Sequence, residues 1–239
     1  MKKTCQKQVL KNYIIIGIII ILVIASLTFY FSFKNTNKNL NLGNNMINKS
    51  IEEIEEYILN ISSYEATLDV TIQSNKNETK YQIKQSFSSP NIEKQIILEP
   101  SNITGLETIY DGNNLKINNT KLSASTIYEK YPYIMNNYLW LNSFIEEYSE
   151  AKQNENNTKL SEENGLVCME IKLEGINPYI SYKKLLIDKK TGNITKLVVQ
   201  DKNQKNMVYI LYNEIKINSL KSEEVLAFKL QDTYTSKLY

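Results

Sequence analysis

The chain has 239 residues, and its 28 basic residues are all lysines; with 26 acidic residues its formal charge at pH 7 is +2. It contains no histidine, which excludes Ser-His-Asp and Cys-His catalysis and histidine-ligated zinc. It also contains no arginine, the side chain that reads phosphates and bases most often, so no nucleic-acid partner is expected.

The first predicted element is a membrane anchor at residues 13–33. This stretch carries no charged residue and is close to the ~20 apolar residues that a helix needs to cross a bilayer. Four lysines precede it and fewer follow it closely, so the positive-inside rule places the N-terminus in the cytoplasm. The residues predicted to mark the anchor are Tyr13, Ile20, Leu22 and Phe33. A signal peptide cleaved after Ala25 is the alternative.

The anchor divides the chain into four predicted parts. Residues 1–12 are the cytoplasmic N-terminus, 13–33 the transmembrane anchor, 34–48 an Asn-rich tether and 49–239 one extracytoplasmic domain. The expected location is the cell membrane, with a single pass. Four of the 28 lysines precede the anchor, which leaves 24 against 26 acidic residues, so the large domain is nearly neutral.

The domain begins with a predicted helix at about 51–62. Ser50 and Glu53 have the spacing of a capping box, in which each side chain accepts a hydrogen bond from the other residue's backbone. The apolar residues of this segment recur at helical spacing and form one face: Ile51, Ile54, Ile58 and Ile61.

Alternating apolar and polar residues then predict strands in two groups, separated by a second helix. The first group covers about 66–72, 81–87, 92–98, 106–110 and 115–117, and Asp111-Gly112 is typical of a hairpin turn. The second helix is predicted at about 133–151, and a polar loop follows at 152–164. The second group covers 166–174, 182–187, 194–200 and 207–212, with a weak strand at 226–230.

This order of elements predicts the α+β class. Short polar turns and the absence of a crossover helix favour a curved antiparallel β-sheet, a half-barrel, with helices packed on its concave face. The candidate residues for that apolar sheet face, or for the lining of a cavity, are Leu68, Val70, Ile72, Tyr81, Ile83, Phe87 and Trp140. Cys168 alternates with apolar neighbours; it is either a small residue on the other sheet face or a reactive thiol.

The same order resembles the LolA/LppX lipoprotein-carrier fold over about residues 50–230. The resemblance is carried by the strand pair around Asp111-Gly112 and by the run LLIDKKTGNITKLVVQDKNQKNMVYILYNEIKI at 185–217. Within that fold the chain resembles the clostridial germination protein GerS and its relatives, although no lipobox cysteine follows the apolar run. The resemblance implies a protein without catalysis of its own that binds and supports a CwlD-like N-acetylmuramoyl-L-alanine amidase of the spore cortex.

Three functions remain as alternatives from the sequence. The first is a membrane-tethered adaptor at the spore envelope, with a partner surface of strand edges or exposed apolar side chains. The second is a LolA-like carrier or sensor that holds a lipid or an acyl chain in an apolar cavity. The third, an enzyme, is disfavoured because no pair of catalytic groups stands out. No cofactor and no metal are expected.

Overall fold

The computed structural model describes residues 49–225, except 75, 133–136, 154–156 and 174–176. All of these residues belong to one unit of the chain. The predicted N-terminus, anchor and tether at 1–12, 13–33 and 34–48, with Tyr13, Ile20, Leu22 and Phe33, lie outside the described residues. The weak strand predicted at 226–230 lies outside them as well.

The helices of the described part of the chain are short. None of them is both long enough and apolar enough to cross a membrane. The predicted localisation, a single pass through the cell membrane with a cytoplasmic N-terminus and an extracytoplasmic C-terminal domain, is contradicted by this finding. The physical reason is length, because the two complete helices within residues 49–225 have 9 and 12 residues whereas a spanning helix needs about 20.

Helix α1 (Ile51–Leu59) confirms the predicted capping box. Ser50 Oγ accepts a hydrogen bond from Glu53 N at 3.2 Å, and Glu53 Oε2 accepts one from Ser50 N at 2.9 Å. The helix ends three residues earlier than predicted, where Asn60 N donates to Glu56 O. The apolar face is buried, since Ile54 and Ile58 are both 0% exposed.

In the described residues, eleven antiparallel strands form one open sheet. They are β1 (Ser63–Gln73), β2 (Glu78–Ser88), β3 (Ile92–Glu99), β4 (Leu106–Asp111), β5 (Leu115–Asn119), β6 (Ala124–Tyr128), β7 (Thr158–Glu163), β8 (Leu166–Lys172), β9 (Tyr182–Asp188), β10 (Ile194–Gln200) and β11 (Asn206–Ile217). The spatial order is β6-β5-β4-β3-β2-β1-β11-β10-β9-β8-β7. Helix α2 (Leu141–Lys152) connects β6 to β7, the strands at the two ends of this order.

The first strand, β1, therefore lies in the middle of the sheet, and the following strands run outward to one edge at β6. The chain then continues at the other edge with β7, and the last strands run back to the middle at β11. The first strand pairs with the last along nine residue pairs, from Tyr64↔Ile217 to Ile72↔Val208. The apolar run at 207–212 lies in β11, which is central in the sheet because β1 and β10 flank it.

Three elements differ from the sequence prediction. Strand β6 was not predicted, and β7 occupies the segment 152–164 that was predicted to be a loop. The polar β7 forms because it pairs with the buried strand β8, where Leu160 lies opposite Met169. Helix α2 begins at Leu141 rather than near 133, since Trp140 has an extended backbone with φ −105° and ψ 136°.

The two faces of the sheet differ in burial. We call the covered face the one that carries Tyr64, Ala66, Leu68 and Val70 on β1, all at most 2% exposed, together with the residues in register with them. The opposite face carries Glu65, Thr67, Asp69 and Thr71, which are partly or fully exposed. Cys168 lies on the opposite face as a free, half-buried cysteine, and burial raises the pKa of its thiol, which disfavours the reactive thiolate.

Candidate functional site

The chain just before α2 is tied to the covered face. Tyr64 Oη donates a hydrogen bond to Asn142 Oδ1 at 3.3 Å and accepts one from Leu141 N at 3.3 Å. Gln85 Nε2 donates to the backbone carbonyl of Leu139 at 3.2 Å. These hydrogen bonds hold the first turn of α2 against β1 and β2.

The other end of α2 is fastened to α1. Tyr148 Oη donates to Glu55 Oε1 at 2.6 Å, and Lys152 Nζ lies 2.6 Å from Glu55 Oε2. Glu55 is only 6% exposed, and these two contacts give each of its carboxylate oxygens a partner within the protein. Burial and the hydrogen bond to Glu55 raise the pKa of Tyr148, which stays protonated as the donor.

The strand residues that were predicted to line a face or a cavity share the covered face. Their register pairs Leu68 with Ile83 and Val70 with Tyr81. Most of them are packed rather than open, since the residues that are at most 4% exposed are Leu68, Val70, Ile83, Phe87 and Trp140. Ile72 and Tyr81 are only partly buried.

A cavity of about 250 Å³ lies on the covered face, between strands β3 to β5 and the chain before α2. We call it the β3–β5 cavity. Its wall contains three aromatic side chains, a carboxylate and two amides: Tyr110, Tyr131, Trp140, Glu93, Gln95 and Asn137. Trp140 is thus brought to this cavity, whereas the six predicted strand residues are not part of its wall. Its volume is just below the ~300–1,000 Å³ of typical small-molecule sites.

Glu93 is the acidic residue of this wall, and its direct neighbours on the adjacent strands are aromatic. The register places it directly between Phe87 on β2 and Tyr110 on β4. Side chains directly opposite each other on one face lie ~5 Å apart at Cβ, so two aromatic rings flank this carboxylate. Asn142 Nδ2 donates to Glu93 Oε1 at 3.0 Å, and this neutral amide orients the carboxylate.

A second carboxylate adds to the negative charge near Glu93. Burial, followed by the charges of Glu93, Glu150 and Glu147, raises the pKa of Glu146. One carboxylate oxygen of Glu146 is buried without a hydrogen-bond partner among the described residues. The nearby lysine on β3, Lys94, pairs with Glu107 on the opposite face at 2.6 Å. The raised pKa of Glu146 therefore shows that its carboxylate and that of Glu93 lie near each other.

The open sheet has two edge strands of different character. Strand β7 carries Lys159, Glu162 and Glu163, and charged residues on an edge discourage pairing with another chain. Strand β6 reads ASTIY and carries no charge. All five of its residues are exposed, and among the described strands it pairs only with β5. Within the described part of the chain, β6 is therefore the edge without charged side chains or a second strand partner.

Exposed apolar side chains collect at the same place. The described residues contain four large apolar side chains with high exposure, and three lie on or beside β6: Leu122 at 74%, Ile127 at 59% and Tyr128 at 48%. The fourth, Tyr179 at 53%, lies in the turn before β9. The rings of Tyr128 and Tyr131 have centroids 6.3 Å apart, so the edge adjoins the chain that borders the cavity.

Neither a metal site nor a second enclosed ligand site is found elsewhere in the described residues. The described residues contain no group of three or more His, Cys, Asp or Glu side chains that could hold a metal ion. A larger cleft of about 620 Å³ is open and lies over the β9–β10 turn and β11, where Asp188 and Thr191 already bond to each other.

The sequence reasoning missed both the edge strand and the role of Glu93. Thr126, Ile127 and Tyr128 are strand-forming residues, and their short run was a usable signal for β6. No local signal identifies Glu93, because its neighbours in the row belong to other strands.

Comparison with curated proteins gives no match. Several solved structures share the course of the chain at low identity. An uncharacterised conserved protein from Thermus thermophilus is 11% identical with a TM-score of 0.45, covering 73% of this chain and 90% of that chain. A LolA superfamily protein from Nitrosomonas europaea is 10% identical with a TM-score of 0.36, covering 73% and 96%.

The complex of the CwlD amidase with the GerS lipoprotein from Clostridioides difficile also matches. The identity is 20%, the TM-score is 0.39, and the match covers 71% of this chain and 92% of that chain. A LolA superfamily protein and GerS, the two resemblances noted in the sequence, are thus both among the matched structures. The family model described as sporulation protein YdcC-like matches residues 11–226, so the chain belongs to the YdcC-like family of sporulation proteins.

Proposed function

We propose that this protein is a non-catalytic adaptor of sporulation that binds a partner protein through the β6 edge, defined as Ala124–Tyr128 with Leu122. The observation that carries the proposal is the contrast between the two sheet edges. The β7 edge carries charged side chains, whereas the β6 edge carries no charge and has exposed apolar side chains. An edge of that kind suits the addition of a strand from another chain, with backbone hydrogen bonds for affinity and side-chain contacts for specificity.

The partner that we propose is a CwlD-like N-acetylmuramoyl-L-alanine amidase of the spore cortex. Membership of a sporulation family supports a partner that acts during spore formation. The sequence resemblance to GerS-related proteins points to this enzyme class among such partners. In this proposal the protein supports the amidase as a binding partner and supplies no catalytic group.

The alternative of a lipid carrier receives less support from the geometry. An acyl chain needs a long apolar cavity, but the predicted lining residues such as Leu68 and Phe87 are packed in the core. The β3–β5 cavity contains the carboxylate of Glu93 and the amides of Gln95 and Asn137. Burying an alkyl chain against such polar groups forfeits their hydration without replacing it.

The test is binding of the purified full chain to the purified CwlD-like amidase of the same organism, measured by co-elution in size-exclusion chromatography. We expect Ile127→Lys to abolish co-elution, because a charge on the edge opposes strand addition. Tyr179→Lys is the matched control, since Tyr179 is exposed to a similar extent away from β6. If the unmodified chain does not bind the amidase, the partner is wrong. If it binds and Ile127→Lys binds equally well, the β6 edge is wrong.

A further inference from the structure

The sheet has a gap beside the end of its last strand. Strand β11 pairs with β1 as far as Ile217, whereas its pairing with β10 ends at Leu211. Residues 212–217 of β11 therefore have a strand neighbour on one side only, among the strands that the structure describes. On the other side lies the open cleft of about 620 Å³, whose far wall is the β9–β10 turn. This gap lies inside the sheet rather than at either end of it.

The backbone of β11 presents hydrogen-bonding groups to this gap. Asn218 N donates to Ser63 O at 2.7 Å, which continues the antiparallel ladder with β1. In such a ladder, successive residues turn their N–H and C=O groups alternately to the two sides of the strand. Lys216 therefore bonds to β1, whereas the backbone groups of Ile215 and Ile217 point into the gap. Backbone groups that face such an opening are a template for a further strand.

The side chains beside the gap define the strand that would fit it. The register with β1 places Ile215 and Ile217 on the covered face, where both are half-buried. Glu214 and Lys216 lie on the opposite face and are exposed. A strand added here would bury its apolar side chains beside the two isoleucines and keep its polar ones in water. The gap therefore selects a short segment in which apolar and polar residues alternate.

The segment 34–48 of the same chain, which lies outside the described residues, contains such an alternation. Leu40 and Leu42 alternate there with Asn39 and Asn41. The charged residues of this segment are all lysines, whereas the wall of the cleft carries two carboxylates and one ammonium group. Pattern and charge thus both match the gap.

The segment is also close enough in the chain to reach the gap. Asn218 Oδ1 accepts a hydrogen bond from Ser62 N at 2.8 Å, so the connection from α1 to β1 touches the end of β11. Helix α1 is about 14 Å long, and the connection 60–62 adds at most about 11 Å. The chain from Leu42 to Ser50 spans up to about 28 Å when extended, which covers this distance.

We propose that residues 39–42 add to β11 as a short strand that forms backbone hydrogen bonds with Ile215 and Ile217 and packs Leu40 and Leu42 on the covered face. The added strand closes the gap beside β10 and fastens the segment before α1 to the last strand of the domain. The proposal concerns the middle of the sheet and does not depend on the partner at β6.

The experiment is hydrogen–deuterium exchange of the full chain, resolved to single amides. We expect the amides of Ile215 and Ile217 to exchange slowly in the unmodified chain, and at least about tenfold faster in Leu40→Asp/Leu42→Asp. The amide of Lys216 is the internal reference, because it bonds to β1 and should stay protected in both proteins. Its protection also shows that the variant has kept its fold.

The matched control is Met46→Asp/Ile47→Asp, which adds the same charge and removes two apolar side chains of the same segment outside the alternating run. This control should leave the amides of Ile215 and Ile217 protected. Fast exchange of these two amides in the unmodified chain overturns the proposal. Equal protection in Leu40→Asp/Leu42→Asp overturns it too, since another group then covers them. Protection that disappears on dilution assigns the gap to a second copy of the chain and likewise overturns it.

Discussion

Lys183 and Glu147 form an ion pair inside the protein, with Nζ of Lys183 2.5 Å from Oε2 of Glu147. The side chains are 2% and 13% exposed, and the pair joins β9 to α2 on the covered face of the sheet. Burial lowers the pKa of Lys183, while the charge of Glu147 and its hydrogen bond raise it, and burial is the larger effect. The pair therefore holds α2 against the sheet, although burying the two charged groups costs free energy because they lose their hydration.

The first prediction concerns this pair. Lys183→Met leaves the carboxylate of Glu147 without its partner, so we expect a loss of about 3–5 kcal/mol in the free energy of unfolding. The double variant Lys183→Met/Glu147→Leu removes both charges and should recover most of that loss. Urea denaturation of the full chain measures both values.

The exposed ion pair between Lys80 and Glu78 is the control for this prediction. Its side chains are 74% and 46% exposed, so Lys80→Met should change the free energy of unfolding by less than about 1 kcal/mol. A double variant at 183 and 147 that is as unstable as Lys183→Met alone would contradict the assigned role of the pair.

The second prediction concerns the link between the two helices. Tyr148→Phe removes the hydrogen bond to Glu55 and leaves a buried carboxylate oxygen unsatisfied, which costs about 1–3 kcal/mol. In the Glu55→Leu background the same change should cost much less, because its partner is already absent. A double-mutant cycle by denaturant unfolding measures the coupling. A coupling energy near zero would show that the two side chains do not stabilise each other.

The third prediction concerns acid stability on the opposite face. Glu107 lies 2.6 Å from Lys94 Nζ and accepts a hydrogen bond from Asn118 Nδ2 at 2.6 Å. Burial raises the pKa of Glu107, but the hydrogen bonds and charges of Lys94, Asn118 and Lys116 outweigh it and leave the pKa below the ordinary 4.5. A depressed pKa means that the unfolded chain binds the proton more tightly than the folded one.

The stabilisation from Glu107 is therefore present above about pH 4.5 and is lost as the pH falls through the folded-state value. We expect the melting temperature of the full chain to fall on acidification through this window, and Glu107→Gln to reduce that fall. Melting curves measured between neutral and acid pH test this. A steeper acid dependence in Glu107→Gln would contradict the sign of the pKa shift.

The fourth prediction compares two turn glycines with a similar backbone. Gly105 has a φ of +81° and Gly112 a φ of +91°, so alanine is strained at both positions. An added Cβ meets open space at Gly112, but at Gly105 it would lie 2.3 Å from Thr120 Oγ1. Gly112→Ala should cost about 1 kcal/mol and Gly105→Ala more, as measured by urea denaturation. The reverse order would contradict the packing around Gly105.

The order of elements in the first half of the domain was well predicted from local patterns. The capping box of Ser50 and Glu53, the alternation in β1 and β2, and the Asp111-Gly112 turn each depend on residues a few positions apart. Strands β6 and β7 were missed for a shared reason. Neither has strong alternation of its own, and each is a strand because a neighbour supplies its hydrogen bonds.

The candidate site was predicted only in part. The structure places the predicted residues Leu68 and Ile83 on the covered face, and it places Trp140 in the wall of the cavity on that face. Its cavity lies further along the sheet, at β3 to β5, where Glu93 and Tyr110 meet across two strands. Register across strands depends on every turn between them, so the sequence did not locate this pair.

The sequence by itself determined the capped first helix, the alternating strands and the face that each side chain occupies, because these follow from backbone periodicity over a few residues. The tertiary structure decided which strands became the edges. Pairing β1 with β11 places the first and last strands in the middle of the sheet, and among the described strands β6 has a neighbour on one side only. It also decided which charges met, as with Lys183 and Glu147, because two residues 36 positions apart become neighbours only when α2 packs on the sheet.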